Sequence, residues 1–203
     1  ILNTKEGHTD SVALRELKSF IRVSESQESA RLLNLPKENV HFLSLPFYEN
    51  RITKKNNPNK KDLQVISSLI EKIKPHQIFA AGNLGVPHST QRLCWEILLS
   101  SINELKLEPF MKDCWVWMYK GGLENWDLQN IDMAVPMSPS QVNDKISLIN
   151  KHQSQIDQLL VLEEDNNSIL LRTSELNRSI AKEYNFLGMS EYEAIETFKR
   201  FYF

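Results

Sequence analysis

The residues best placed to do chemistry lie in the stretch AAGNLGVPHSTQR, residues 80–92. Gly82 and Gly85 allow the backbone to bend sharply there, and His88 falls just ahead of the helix that the next residues predict. A histidine in that position can donate a hydrogen bond or move a proton beside a set of oriented N–H groups. Its plain alternative is a capping or surface histidine. Lys145 and His152 stand seven residues apart, close to one face of a predicted helix and at the edge of its apolar stripe. A histidine satisfied by a neighbouring backbone group is the alternative at His152. Arg22 and Glu25 have the i, i+3 spacing of a helical ion pair. Trp115, Trp117 and Tyr119 alternate with Val116 and Met118, so they share one face of a strand, either as packing or as a platform on which a sugar could stack. Cys94 and Cys114 show no metal-type spacing and are expected to be buried, reduced thiols.

These positions depend on an alternation of strands and helices. Apolar spacing predicts a helix over 11–33 and a short strand over 40–45, ended by Pro46. A polar, basic loop over 51–61 follows, with no aromatic interleaving to suggest nucleic acid. Asn59 or Asp62 opens a helix that Pro75 stops, and 78–81 form a short buried strand. A helix starts near Pro87 or Ser89 and runs to about residue 105. Residues 114–119 and 132–135 read as strands. Ser138, Pro139 and Gln141 make a capping box with proline at the first helical position, and the helix is expected to reach about residue 160. Helices over 171–184 and 191–203 complete the expectation. The class is α/β, with a mostly parallel sheet between helical layers, and no internal boundary divides the 203 residues.

Composition narrows the partners. A net charge of −2 gives no electrostatic reason to expect nucleic acid or a membrane surface. No apolar run reaches the roughly 20 residues of a membrane span, and a cytoplasmic protein is expected. The chain begins at Ile1, and its first ten residues carry no periodicity, so the expectation is a processed start or a missing upstream piece.

The string IKPHQIFAAGNLGVPHSTQRLC, residues 73–94, resembles the second active-site motif of PIG-L/LmbE-like de-N-acetylases. In particular it resembles the deacetylase-like domain fused behind glucosamine-6-phosphate deaminase in some bacteria. HFLSLPFYE precedes it, and KDCWVWMYKG, IDMAVPMSPSQV, KHQSQ and LGMSEYEAIETF follow in the expected order. The resemblance covers most of the chain from about Leu17 and implies a three-layer, Rossmann-like fold. It also implies a zinc-dependent hydrolase of N-acetylglucosamine-type amides. In that family a His-Pro-Asp-Asp motif supplies two zinc ligands and a general base, and a His-x-x-His motif supplies the third ligand.

The carry-over is incomplete. His-Pro-Asp-Asp is absent from these residues, and the family's first strands are expected to lie upstream, leaving an exposed sheet edge. His88 matches the first histidine of the later motif, the catalytic one, whereas Gln91 stands at the zinc histidine's place. A glutamine oxygen is a poor replacement for imidazole on zinc. Asn83 and Val86 replace aspartates of close relatives, as does Ser44. The resemblance marks Arg22, Asn83, Lys145 and His152 as substrate-binding candidates. No metal or other cofactor is expected in this chain itself. Two readings stay open: a fragment or degenerate amino-sugar deacetylase, inactive alone, or a non-catalytic sugar-binding or structural domain. An upstream fused deaminase domain and a homo-oligomer are the partners that fit either.

Overall fold

The computed structural model describes residues 11–48, 57–82, 89–120, 124–155 and 169–203. The chain packs as two compact units: Ile1–Phe42, Arg51–Thr53 and Met137–Ala194 form one, and Leu43–Asn50, Lys54–Pro136 and Ile195–Phe203 the other.

In the second unit, Asn59 caps helix α2 (Lys60–Ile73) through a capping box with Asp62, and Lys74 ends it in the left-handed conformation before Pro75. Strand β1 (Gln77–Gly82) follows, then helix α3 (Thr90–Leu105), capped by the Ser89 side chain. Strands β2 (Trp115–Lys120), β3 (Met133–Met137) and β4 (Ala194–Phe201) complete a four-stranded sheet in the order β1-β2-β4-β3. β1 and β2 run parallel, with Gln77 opposite Trp115 and Gly82 opposite Lys120. β2 and β4 run antiparallel, with Val116 opposite Phe201. Helices α2 and α3 cover one side of β1 and β2. Ile70, Ile102, Leu105, Met111, Cys114 and Val116 form the core there, joined by Ile66, Ile78, Leu98 and Phe201. A second cluster, Phe47, Leu93 and Ile97, seals the start of α2 and α3.

The first unit is helical. Ser11 caps α1 (Val12–Leu32), and Ser138 with Gln141 caps α4 (Pro139–Ile149). The last helix, α5, spans Ile169–Phe186. No helix among the described residues is long and apolar enough to cross a membrane.

The α/β class holds, and the sheet mixes parallel and antiparallel pairs. Three local expectations fail. Residues 40–45 form no strand: Ser44 takes a positive φ of 45°, which breaks the extended run, and Pro46–Tyr48 turn into a short 3-10 helix that buries Phe47. The helix over 191–203 is instead β4, where Ile195, Thr197, Lys199 and Phe201 alternate with Glu196, Phe198 and Arg200. The antiparallel partner β2 supplies the backbone bonds that outweigh any helical preference there. The helix from Ser138 stops at Ile149, where Asn150 and Lys151 form a turn; helical structure resumes at Gln153. Cys94 is exposed, and only Cys114 is the buried thiol expected of both, its pKa pushed up by burial.

Candidate functional site

The first unit gathers several of the predicted residues in a polar network between α1 and α4. Glu25, Ser29 and Arg22 share one face of α1, because offsets of three, four and seven residues bring side chains over one another. The Glu25 carboxylate accepts both donors of Ser154: the backbone N–H to Oε1 and the hydroxyl to Oε2, each at 2.7 Å. It therefore holds the first helical residues after the break. Burial raises the Glu25 pKa. The two Ser154 hydrogen bonds, with the charges of His152 and Arg22, outweigh that and hold the carboxyl below its ordinary value.

The break after α4 decides where His152 stands. It lies off the helix, so the expectation that it shares a helical face with Lys145 fails. Its Nε2 is 3.1 Å from Ser29 Oγ, and Ser29 Oγ–H donates to the Leu148 carbonyl at 3.2 Å. With the serine proton given to that carbonyl, Oγ is left to accept, which assigns the imidazole proton to Nε2. Nδ1 is buried and has no hydrogen-bond partner among the described residues. This arrangement can hold or pass a proton at Nδ1, or accept a hydrogen bond there. Lys145 turns elsewhere: its Nζ donates to Oδ1 of the buried Asn177 on α5 at 3.0 Å. Arg22 is half-buried beside Glu25. Arg22 and His152 thus both act on the Glu25 carboxylate, while Lys145 joins α4 to α5.

Ser29 and Asn177 were not foreseen. Ser29 had a signal, since it lies four residues after Glu25 on the same face of α1. Asn177 had none: its partner lies 32 residues away in sequence.

In the second unit, the carboxyl end of β1 is the place where α/β sheets bind ligands. Asn83 and His88 lie outside the described residues. Gln91 is exposed in the first turn of α3. Among the described residues, no three His, Cys, Asp or Glu side chains converge as a metal would require. Beside β2, the buried ring of Trp126 donates Nε1–H to the Met118 carbonyl at 3.3 Å. Lys120 and Lys199 both lie over that ring, at 5.5 and 5.7 Å. Trp117 is buried, and the exposed face of Trp115 is taken by the Arg200 guanidinium at 3.6 Å. That pairing leaves Trp115 engaged in packing.

No family model matches the chain. It is 39% identical over 196 residues to a protein of Bacteroides thetaiotaomicron named as glucosamine-6-phosphate deaminase-like. That match takes in 96% of this chain but spans only 30% of the relative's length. Among solved structures, the 4-carboxy-2-hydroxymuconate hydratase of Pseudomonas putida is similar with a TM-score of 0.62 at 13% identity, covering 90% of this chain and 72% of that one. The N,N'-diacetylchitobiose deacetylase of Pyrococcus horikoshii is similar with a TM-score of 0.56 at 19% identity, covering 97% and 68%. The chain therefore has the α/β fold of that deacetylase, and it is similar along nearly its whole length to part of a deaminase-like protein, in agreement with its resemblance to the PIG-L/LmbE-like de-N-acetylases.

Proposed function

We propose that this chain is a partial or degenerate de-N-acetylase of the PIG-L/LmbE type, related to hydrolases of N-acetylglucosamine-like amides and inactive by itself. Gln91 carries the reading: at the start of α3, where the family places a zinc-binding imidazole, this chain presents an exposed neutral amide. In this reading His88 remains the catalytic candidate. Arg22, Asn83, Lys145 and His152 are the groups left to meet a small amino-sugar substrate, and the protein is cytoplasmic. The deacetylase-like fold and the deaminase-like relative support it.

The test is metal content and acetate release in the whole gene product. The expected result is below about a tenth of an equivalent of zinc and no release of acetate from N-acetylglucosamine derivatives, with Gln91→His raising the zinc content. A full equivalent of zinc in the unaltered protein, with acetate released, would sink the proposal. The second reading is a non-catalytic domain that supports a fused deaminase domain, and the 30% span of the relative favours it. Deletion of residues 1–203 from the gene product, followed by assay of deaminase turnover and subunit association, separates the two. Only the structural reading expects those properties to change.

A further inference from the structure

Trp117 carries a donor that the fold does not use. Its ring is 7% exposed, and Nε1 is buried with no hydrogen-bond partner among the described residues. An indole N–H cut off from both water and protein acceptors costs free energy, so native structures rarely keep one without a use. The sheet register gives this donor a neighbour. Trp117 on β2 stands directly opposite Arg200 on β4, so both side chains rise from one face with their Cβ atoms about 5 Å apart. Trp115 lies on the same face two residues before Trp117, and the centroids of the two rings are 5.8 Å apart.

The Arg200 guanidinium is held in place without being consumed. It lies 3.6 Å from the centre of the Trp115 ring and 4.8 Å from that of Tyr202. Stacking engages the flat faces of the group and leaves the N–H groups at its rim pointing outward. None of those N–H groups makes a hydrogen bond or ion pair among the described residues. Asp132, the carboxylate that reaches Arg200, accepts its backbone N–H at 2.8 Å. Glu196 shares this face of β4 but stands four residues back along the strand, roughly 13 Å away at about 3.3 Å per residue. A fixed, planar, positively charged fork beside an indole N–H that lacks an acceptor is the complement of an oxyanion.

We propose that Arg200 and Trp117 form a binding site for an oxyanion, the phosphate or carboxylate group of a small ligand, on the sheet face that carries Trp115. The guanidinium takes two of the ligand's oxygens side by side, and the indole N–H donates to one of them. Among the described residues no hydrogen bond holds the Arg200 or Trp115 side chains, and Trp115 is 43% exposed, so rotation of these two opens Nε1 to the ligand. The site stands apart from the carboxyl end of β1, because Gly82 is opposite Lys120, at the far end of β2 from Trp115. It therefore does not depend on amide cleavage.

The test uses the whole gene product that carries this sequence, labelled with 5-fluorotryptophan. The Trp117 fluorine resonance is assigned by its loss in Trp117→Phe. Inorganic phosphate and acetate are titrated separately at constant ionic strength, so that screening does not imitate binding. At least one of them is expected to move the Trp117 resonance along a saturating curve, and the tighter of the two identifies the ligand's anionic group. Arg200→Ala is expected to weaken that binding at least about 10-fold. Arg200→Lys keeps the charge and most of the stem but loses the fork, and is expected to weaken it about threefold. Trp117→Phe keeps an aromatic ring and removes the donor; followed at Trp115, it is also expected to cost about threefold. Unmoved Trp95 and Trp126 resonances report that each variant is folded. The absence of a saturating shift at Trp117 with either anion at millimolar concentration would overturn the proposal. So would binding that both Arg200 variants leave unchanged, since the anion would then sit elsewhere.

Discussion

Asp62 shows how one side chain can fix two segments. It is fully buried, with 0% of its surface exposed, and its carboxylate accepts the Phe47 N–H at 2.9 Å and the Asn59 N–H at 2.8 Å. The second bond closes the capping box of α2, and the first ties the 3-10 turn over Phe47 to that helix. Asp62→Ala strands two backbone donors, so urea denaturation should show a loss of roughly 2–4 kcal/mol. Glu25 makes a different prediction, one that depends on pH. Its folded pKa lies below the ordinary 4.5, so its contribution is complete above that value and is lost as pH falls through the lowered folded pKa. Thermal melts should therefore separate the parent from Glu25→Gln at pH 7, and the gap should close in strong acid. A gap that stayed constant with pH would mean that the Ser154 bonds do not depend on the carboxylate's charge.

The elements are held by close approach as well as by bonds. A Cβ built on Gly82 would lie 2.6 Å from Met118 Cγ and 2.8 Å from its Cβ, so the last residue of β1 has no room for a side chain. Gly82→Ala should cost about 1–3 kcal/mol, read from the unfolding midpoint, through overpacking of β1 against β2. The sequence shows a glycine at position 82 without saying why; the packing of Met118 makes it sterically required. The helices were legible because their caps are local: Ser11, Asn59, Ser89 and Ser138 each accept a backbone N–H within three residues. β4 was not legible as a strand, because AIETFKRF becomes one through a partner more than eighty residues earlier in the chain.

Among the described residues, large apolar side chains stand exposed on several elements. On α1, Phe20 is 70% exposed and Leu17 and Ile21 lie beside it, while Phe79, Trp115 and Tyr119 are exposed on the sheet. Residues 1–203 expressed alone should associate or precipitate at micromolar concentration, as light scattering would show. A monodisperse, cooperatively melting monomer would contradict that. The candidate site divides in the same way. Arg22 and His152, singled out by spacing and resemblance, both lie near the Glu25 carboxylate. Lys145, singled out with them, bonds Asn177 on another helix.

By itself the sequence determined the α/β class, the capping box at Ser138, the approximate starts of three further helices and the glutamine at position 91, because propensity, capping and residue identity act over a few neighbours. Only the tertiary structure decided that 40–45 is no strand, that 194–201 is one, and that His152 sits in a break with Ser29 as its partner. Those outcomes depend on backbone bonds and close contacts between segments far apart in the chain, whose free energy no local window contains.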